Sequence, residues 1–272
     1  MLAVLDRLMQ EGQIDWFKFD YNIDVDNDFD LTGADAKNTR LHEHLQGCYQ
    51  WLDDIAKKYP QVILKNCASG GRRWDLGIAR HTHAAWISDT VNPRFSPQVA
   101  YGALVEFAPE TCNHWMVGDI NPKRRGGYGA TITTPDPAWW DFMFRIAMNG
   151  QTGISSRLDL WPPEALKRAQ DNVSLYKRIR GTIHGADVYH LTDALAAGAN
   201  PTGWMGLQYY QPIEGSCVVL IYRLGLSESE QSFRLKSLKP GQHYNVLADG
   251  KTDWHSHRPA SDRAWVDRRT AG

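Results

Sequence analysis

At 272 residues the chain is long enough for one large domain or two ordinary ones, and its 42% hydrophobic and 22% charged content are those of a folded soluble protein. A formal net charge of −1 excludes the electrostatic footprint of a nucleic-acid binder, so no nucleic-acid partner is expected. No apolar run approaches the roughly 20 residues that a membrane span requires, and four scattered cysteines without a CxxC pair point to reduced thiols rather than a disulfide framework.

The opening residues place Asp6 and Arg7 inside an amphipathic pattern, unlike a secretion signal, so the expected location is cytoplasmic. Leu2, Leu5, Leu8 and Met9 recur at helical spacing up to Gly12. The alternating, aromatic-rich segment Ile14 to Phe19 reads as a strand, and the polar stretch Asp20 to Gly33 as a loop. Residues 38–59 form a long amphipathic helix stopped by Pro60. Val62-Ile-Leu64 reads as a short buried strand, followed by the loop Asn66 to Gly71. Strand candidates at 84–87, 114–117 and 152–155 then alternate with helix candidates at 97–107, 137–149 and 162–180. Strand, polar loop and helix, repeated about five times, is the signature of parallel α/β architecture. In such folds the chemistry sits on loops after the strand C-termini.

From about residue 186 the texture changes. Segments 204–210, 216–222 and 232–235 are strand-like and separated by turns, which predicts a small antiparallel β domain over 186–272 after an α/β domain over 1–185. The tail from Asp253 to Gly272 is polar and unpatterned and reads as loose.

Three segments carry chemistry. In Phe17-Lys18-Phe19-Asp20-Tyr21-Asn22, alternation puts Lys18, Asp20 and Asn22 on one side of an extended chain and the aromatic rings on the other. A carboxylate flanked by a cation and an amide is poised to stay ionised, as a glycosidase nucleophile must be. The same spacing also fits a structural Lys–Asp pair at a strand end. Trp86-Ile-Ser-Asp89-Thr90 places a second carboxylate after another short apolar run, where Ser-Asp-Thr would equally suit a helix N-cap. Between them, Asn66-Cys-Ala-Ser-Gly-Gly-Arg-Arg-Trp-Asp75 has glycines that let backbone approach a ligand, but not the Walker spacing of a phosphate loop. Spacing alone leaves each of these alternatives open.

Together the three segments resemble glycoside hydrolase family 36 α-galactosidases. Lys18-Phe-Asp20-Tyr-Asn22 is similar to that family's Lys-Trp-Asp-Met-Asn nucleophile motif, and Asn66 to Asp75 to its Asn-Cys-Ser-Gly-Gly-Gly-Gly-Arg-Phe-Asp segment. Trp86-Ile-Ser-Asp89 is similar to its Trp-Thr-Ser-Asp acid/base motif, with Thr90 where a second Asp usually follows. Segment 153–160 and the helix ending at Arg180 resemble the last barrel strand and its helix. The resemblance implies a partial (β/α)8 TIM-type barrel, about strands 4–8, followed by a small antiparallel β domain. It implies a retaining α-galactosidase with Asp20 as nucleophile and Asp89 as acid/base. Lys18, Asn22, Cys67, Ser69, Gly70 and Trp86 would bind the sugar, and Arg73 and Asp75 would hold the loop in shape. No metal or organic cofactor is implied, and the partners would be α-galactoside sugars, with neither nucleic acid nor membrane.

The family's nucleophile follows the fourth of eight strands, so earlier loops that grip galactose are expected to be missing, and a truncated catalytic module is the expectation. Exposed sheet edges would then favour a homo-oligomer. An inactive, weakly sugar-binding remnant, an α-N-acetylgalactosaminidase and a galactosyl-transferring enzyme are the alternatives. The pairs His42/His44, His81/His83 and His255/His257 each supply only two imidazoles, short of the three or four a zinc site needs, and on a helix His42 and His44 would point about 200° apart. Cys112-Asn-His114 reads as a loop contact to substrate rather than a thiol dyad.

Overall fold

The computed structural model describes residues 2–22, 40–90, 92–117, 137–196, 201–225, 230–241, 244 and 246. The chain divides into two compact units, Met1–Asp89 and Thr90–Gly272.

In the first unit, helix α1 (Leu2–Gly12) leads to strand β1 (Trp16–Asp20), helix α2 (Arg40–Lys58), strand β2 (Ile63–Cys67), the single-turn helix α3 (Leu76–Ala79) and strand β3 (Ala84–Trp86). β1 pairs parallel with β2, and β2 with β3. The alternation seen in the sequence assigns the two faces. Phe17 and Phe19 turn towards a core of Leu5, Leu52, Ile55, Val62, Leu64 and Ile78, supplied by the helices and by β2. The other face carries Lys18 and Asp20 from β1, in register with Lys65 and Cys67 on β2. Pro60 ends α2 as expected, because it lacks the N–H that would continue the helix. Lys58 Nζ and the Tyr59 hydroxyl both donate to Asp6 Oδ1, at 2.6 and 2.5 Å, tying the end of α2 to α1.

The second unit begins with helix α4 (Ser96–Glu106) and strand β4 (Cys112–Val117). Helix α5 (Pro137–Ala147), strand β5 (Gln151–Ser155) and helix α6 (Pro163–Ile183) follow, and β4 pairs parallel with β5. The parallel pattern then gives way to an antiparallel sheet of β6 (Asp187–His190), β7 (Gly203–Gln211) and β8 (Ser216–Leu224). β6 escapes the sequence pattern because Asp187-Val-Tyr-His190 is too short and too polar to stand out.

The expected strand at 232–235 does not form. Phe233 is buried, with the Gly206 backbone and the Trp204 ring as neighbours. β7 already has β6 and β8 as its two neighbours, and the Gln208 side-chain amide holds the chain just beyond, donating to Lys236 O at 2.7 Å and accepting from Lys236 N at 2.8 Å. The tail from Asp253 and the His255/His257 pair lie outside the described residues. No helix among the described residues is long and apolar enough to cross a membrane.

Helix α5 joins this sheet through a buried polar knot. Asn149, just after α5, donates to the Tyr222 hydroxyl at 2.7 Å and accepts from the Tyr209 hydroxyl at 2.7 Å. Tyr209 and Tyr222 are 0% and 2% exposed, so each lost bond leaves a polar atom without water. Asn149→Ala should lower the stability of the second unit by about 1–3 kcal/mol. Urea denaturation followed by tyrosine absorbance measures this, and an unchanged midpoint would show the knot to be energetically idle.

Candidate active site

The first unit holds Lys18 within β1 and gathers Asp20, Asn22, Cys67, Ser69, Gly70, Trp86 and Asp89 at the C-terminal ends of its three parallel strands or on the segments just beyond them. The ladder between β1 and β2 sets Asp20 opposite Cys67 and extends one step further, with Tyr21 N–H donating to Cys67 O at 2.9 Å. Lys18 Nζ lies 3.2 Å from Asp20 Oδ2. Burial raises the Asp20 pKa, but hydrogen bonds from Lys18 Nζ, the Cys67 thiol and the Ser69 backbone N–H outweigh it and hold the carboxyl below its ordinary value. That same Ser69 N–H also reaches Asn22 Oδ1 at 2.6 Å, and the Ser69 hydroxyl donates there at 3.2 Å. Asn22 thus fastens the chain after β1 to the turn after β2.

At that turn, Ala68–Gly71, the Ser69 N–H reaches the Asp20 carboxylate and the Gly70 backbone lies against the backbone of Asp89. Gly70 has φ of 81°, a left-handed conformation that favours glycine, and a Cβ there would lie 2.7 Å from Asp89 N. At Gly71 a Cβ would collide with the carbonyl oxygen of Ile87. So the turn lies flat on the segment Ile87–Asp89. The Gly70 backbone also hydrogen-bonds Cys67, whose thiol is pushed up chiefly by burial. Cys67 reaches Asp20 on one side, and Gly70 reaches Asp89 on the other.

Around this turn, Asn66 Nδ2 donates to Arg73 O at 3.2 Å, and the Arg73 guanidinium lies 4.3 Å from the centroid of the Tyr21 ring. Asp75 caps α3 by accepting from Ile78 N at 2.9 Å. Trp86 is 7% exposed, and its indole N–H donates to Asp89 Oδ1 at 2.9 Å.

Sequence reasoning passed over Lys65. It is 1% exposed, on the same face as Lys18 and Asp20, with Nζ 5.3 Å from the centroid of the Trp86 ring. Its one signal was a cation inside an otherwise apolar strand, Ile63-Leu-Lys65.

The expected loop contact at Cys112 and His114 is corrected: both lie inside β4, at 3% and 2% exposure. Burial pushes the Cys112 thiol up to about 12 and the His114 imidazole down to about 4, so both are neutral at physiological pH. The remaining histidine pairs diverge. His81 Nδ1 bonds Asp53 at 2.6 Å, His83 Nδ1 accepts from Leu64 N–H at 3.0 Å, and His44 stacks on Tyr21. Among the described residues no three His, Cys, Asp or Glu side chains converge on a point that could hold a metal ion. A cavity of about 740 Å³ in the second unit, lined by Arg94, Trp139, Phe142 and Arg223, contains none of the candidate residues. The chemistry of Asp20 and Asp89 therefore rests on their side-chain partners, not on that cavity.

The family model described as Melibiase matches residues 1–185. The chain belongs to the melibiase family. It is 23% identical over 248 residues to α-galactosidase 1 of Pediococcus pentosaceus, covering 90% of this chain and 32% of that protein. A bifunctional α-galactosidase/sucrose kinase of Mediterraneibacter gnavus is 24% identical over 252 residues, covering 90% of this chain and 24% of that one. Among solved structures, an α-galactosidase of Lactobacillus brevis superposes with a TM-score of 0.73 at 18% identity, covering 99% of this chain and 38% of that chain. A family 36 α-galactosidase of Geobacillus stearothermophilus, solved with raffinose, gives 0.69 at 16% identity, covering 98% and 37%. These likenesses show the fold, parallel β/α units of a partial barrel followed by an antiparallel sheet. The chain thus spans about a third of the length of family members such as the Pediococcus enzyme.

Because the folded pKa of Asp20 lies below the ordinary 3.8, the stability its ionised form contributes is present near neutral pH and is lost as pH falls through that lowered value. Lys18→Met and Cys67→Ala should each raise the Asp20 pKa, read by carboxyl-carbon NMR. An unmoved titration in both variants would show that these side chains do not hold the charge.

Proposed function

We propose that the chain is a catalytic module of a retaining α-galactosidase, hydrolysing terminal α-galactosides by double displacement. The observation that carries this is the convergence of two aspartates on one glycine turn: Asp20 held ionised by Lys18, Cys67 and Ser69, and Asp89, whose backbone N lies against Gly70 and whose carboxylate accepts from an indole N–H. Membership of the melibiase family supports the reaction class, and a solved relative in complex with stachyose supports oligosaccharides ending in α-galactose as substrates.

In the first step the Asp20 carboxylate attacks the anomeric carbon from the face opposite the aglycone and forms a galactosyl ester. The glycosidic C–O bond breaks, and Asp89 gives its proton to the departing oxygen. In the second step Asp89, now ionised, removes a proton from water, whose oxygen displaces Asp20 and restores the α configuration. Lys18 and Asn22 bind sugar hydroxyls beside the nucleophile, and Cys67, Ser69 and Gly70 line the floor of the subsite. Trp86 serves as its buried wall. Lys18 has a second duty, since its charge also keeps Asp20 an anion between turnovers.

The purified chain should hydrolyse 4-nitrophenyl α-galactoside and release α-galactose first, as seen by proton NMR. Asp20→Gly should lose on the order of 10⁴-fold in kcat. Azide should restore turnover in that variant and yield β-galactosyl azide, because the small anion occupies the space of the lost carboxylate. Full activity in Asp20→Gly, or initial release of β-galactose, would defeat the proposal. Asp89→Ala should be mildest on aryl substrates, whose good leaving groups need little acid assistance, and most severe on melibiose. Equal losses on both substrate types would remove Asp89 from the role of acid.

A further inference from the structure

Lys65 stands mid-strand in β2 at 1% exposure, where a Val or Ile would meet the demands of a parallel strand without desolvating an ammonium. Its Cα partners are Lys18 on β1 and Ala84 on β3. The side chain therefore leaves the sheet on the face of Lys18, Asp20 and Cys67, two positions before Cys67 along β2. Its Nζ is 5.3 Å from the centroid of the Trp86 ring. Trp86 in turn donates its indole N–H to Asp89 Oδ1 at 2.9 Å. One chain of contacts thus runs from a buried cation, through an aromatic face, to a carboxylate oxygen.

We propose that Lys65 is a positioning residue: its ammonium, seated against the face of Trp86, fixes the indole whose N–H orients Asp89 for proton transfer. The proposal rests on the reading of Asp89 as acid/base. An ammonium over an indole is held by the ring's quadrupole, and the attraction is strongest where water is excluded, as it is here. Without that contact the indole loses one of the constraints on its orientation, and the carboxyl it holds loses it too. The arrangement also has a built-in alkaline limit. Burial first, then the charge of Lys18, pushes the Lys65 ammonium down to about 8, against the opposing influence of Cys67 and Asp20. Lys18 and Asp20 on β1 and Cys67 on β2 are titratable neighbours that act on it. A neutral amine has no cation–π attraction, so Trp86 loses this contact as pH rises through that value.

Two measurements test this. The first needs no turnover: the ¹⁵N-indole resonance of Trp86, identified as the one missing from Trp86→Phe, is followed from neutral to alkaline pH. A step with its midpoint near pH 8 is expected in the parent chain. It should vanish in Lys65→Met and move to higher pH in Lys65→Arg. No step in the parent, or a step that survives Lys65→Met, overturns the proposal. The second compares kcat/KM on melibiose and on 4-nitrophenyl α-galactoside. Lys65→Met should lose about 10- to 100-fold on melibiose and under about 3-fold on the aryl sugar, because only the poor leaving group depends on the acid. Lys65→Arg should recover most of the melibiose activity. Equal losses on the two sugars in an active parent overturn the proposal while leaving the hydrolase reading intact. In a parent that hydrolyses neither sugar the hydrolase reading fails, and the indole titration alone decides whether Lys65 holds Trp86.

Discussion

The packing of the Ala68–Gly71 turn on the backbone of Ile87–Asp89 is the constraint from which the site follows. Parallel strands are joined by long crossovers, so β1, β2 and β3 deliver their C-termini to one end of the sheet but fix nothing about the segments beyond them. Two adjacent glycines do the rest. Neither carries a Cβ, and each has backbone atoms of the Ile87–Asp89 segment where a Cβ would have been. The turn can therefore lie flat on that segment, with Cys67 turned to Asp20 and Gly70 against Asp89. Any side chain at either glycine would part the two.

The charges around that turn are arranged by the strand period. One face of β1 and β2 is apolar and closes on α1 and α2; the other holds Lys18 and Asp20 beside Lys65 and Cys67. Alternation makes this unavoidable once the core face is chosen. The cost is a desolvated lysine, and the two aspartates receive different partners. Asp20 receives a cation, a thiol and a backbone N–H, whereas Asp89 receives an indole N–H.

The second unit solves a different problem. Its parallel pair β4–β5 and its antiparallel sheet β6–β8 are joined through the C-terminal end of α5, where Asn149 binds Tyr209 and Tyr222 in a water-free knot. Polar groups buried this way bind their neighbours in one geometry, since any displacement leaves a hydroxyl or amide without a partner. The buried, neutral Cys112 and His114 of β4 belong to the same interior.

Much of this was legible from the chain alone. The alternation in Trp16–Asp20, the helical period before Pro60 and the repeated strand–loop–helix order determined the parallel architecture, because each is a local pattern set by backbone geometry. The three ordered motifs determined the family, since Lys18-Phe-Asp20, Asn66-Cys67 and Trp86-Ile-Ser-Asp89 are specific as a set. Local pattern was silent on the rest. Strand β6 is a strand only because β7 pairs with it, and residues 232–235 are not one because β7 already has β6 and β8 as its two neighbours. Lys65 carried no reading in the sequence; register placed it beside Lys18, and the fold set its ammonium over the Trp86 ring. The sequence by itself determined which residues carry reactive groups, and only the tertiary structure decided which charge touches which ring, because those contacts join strands separated by whole helices.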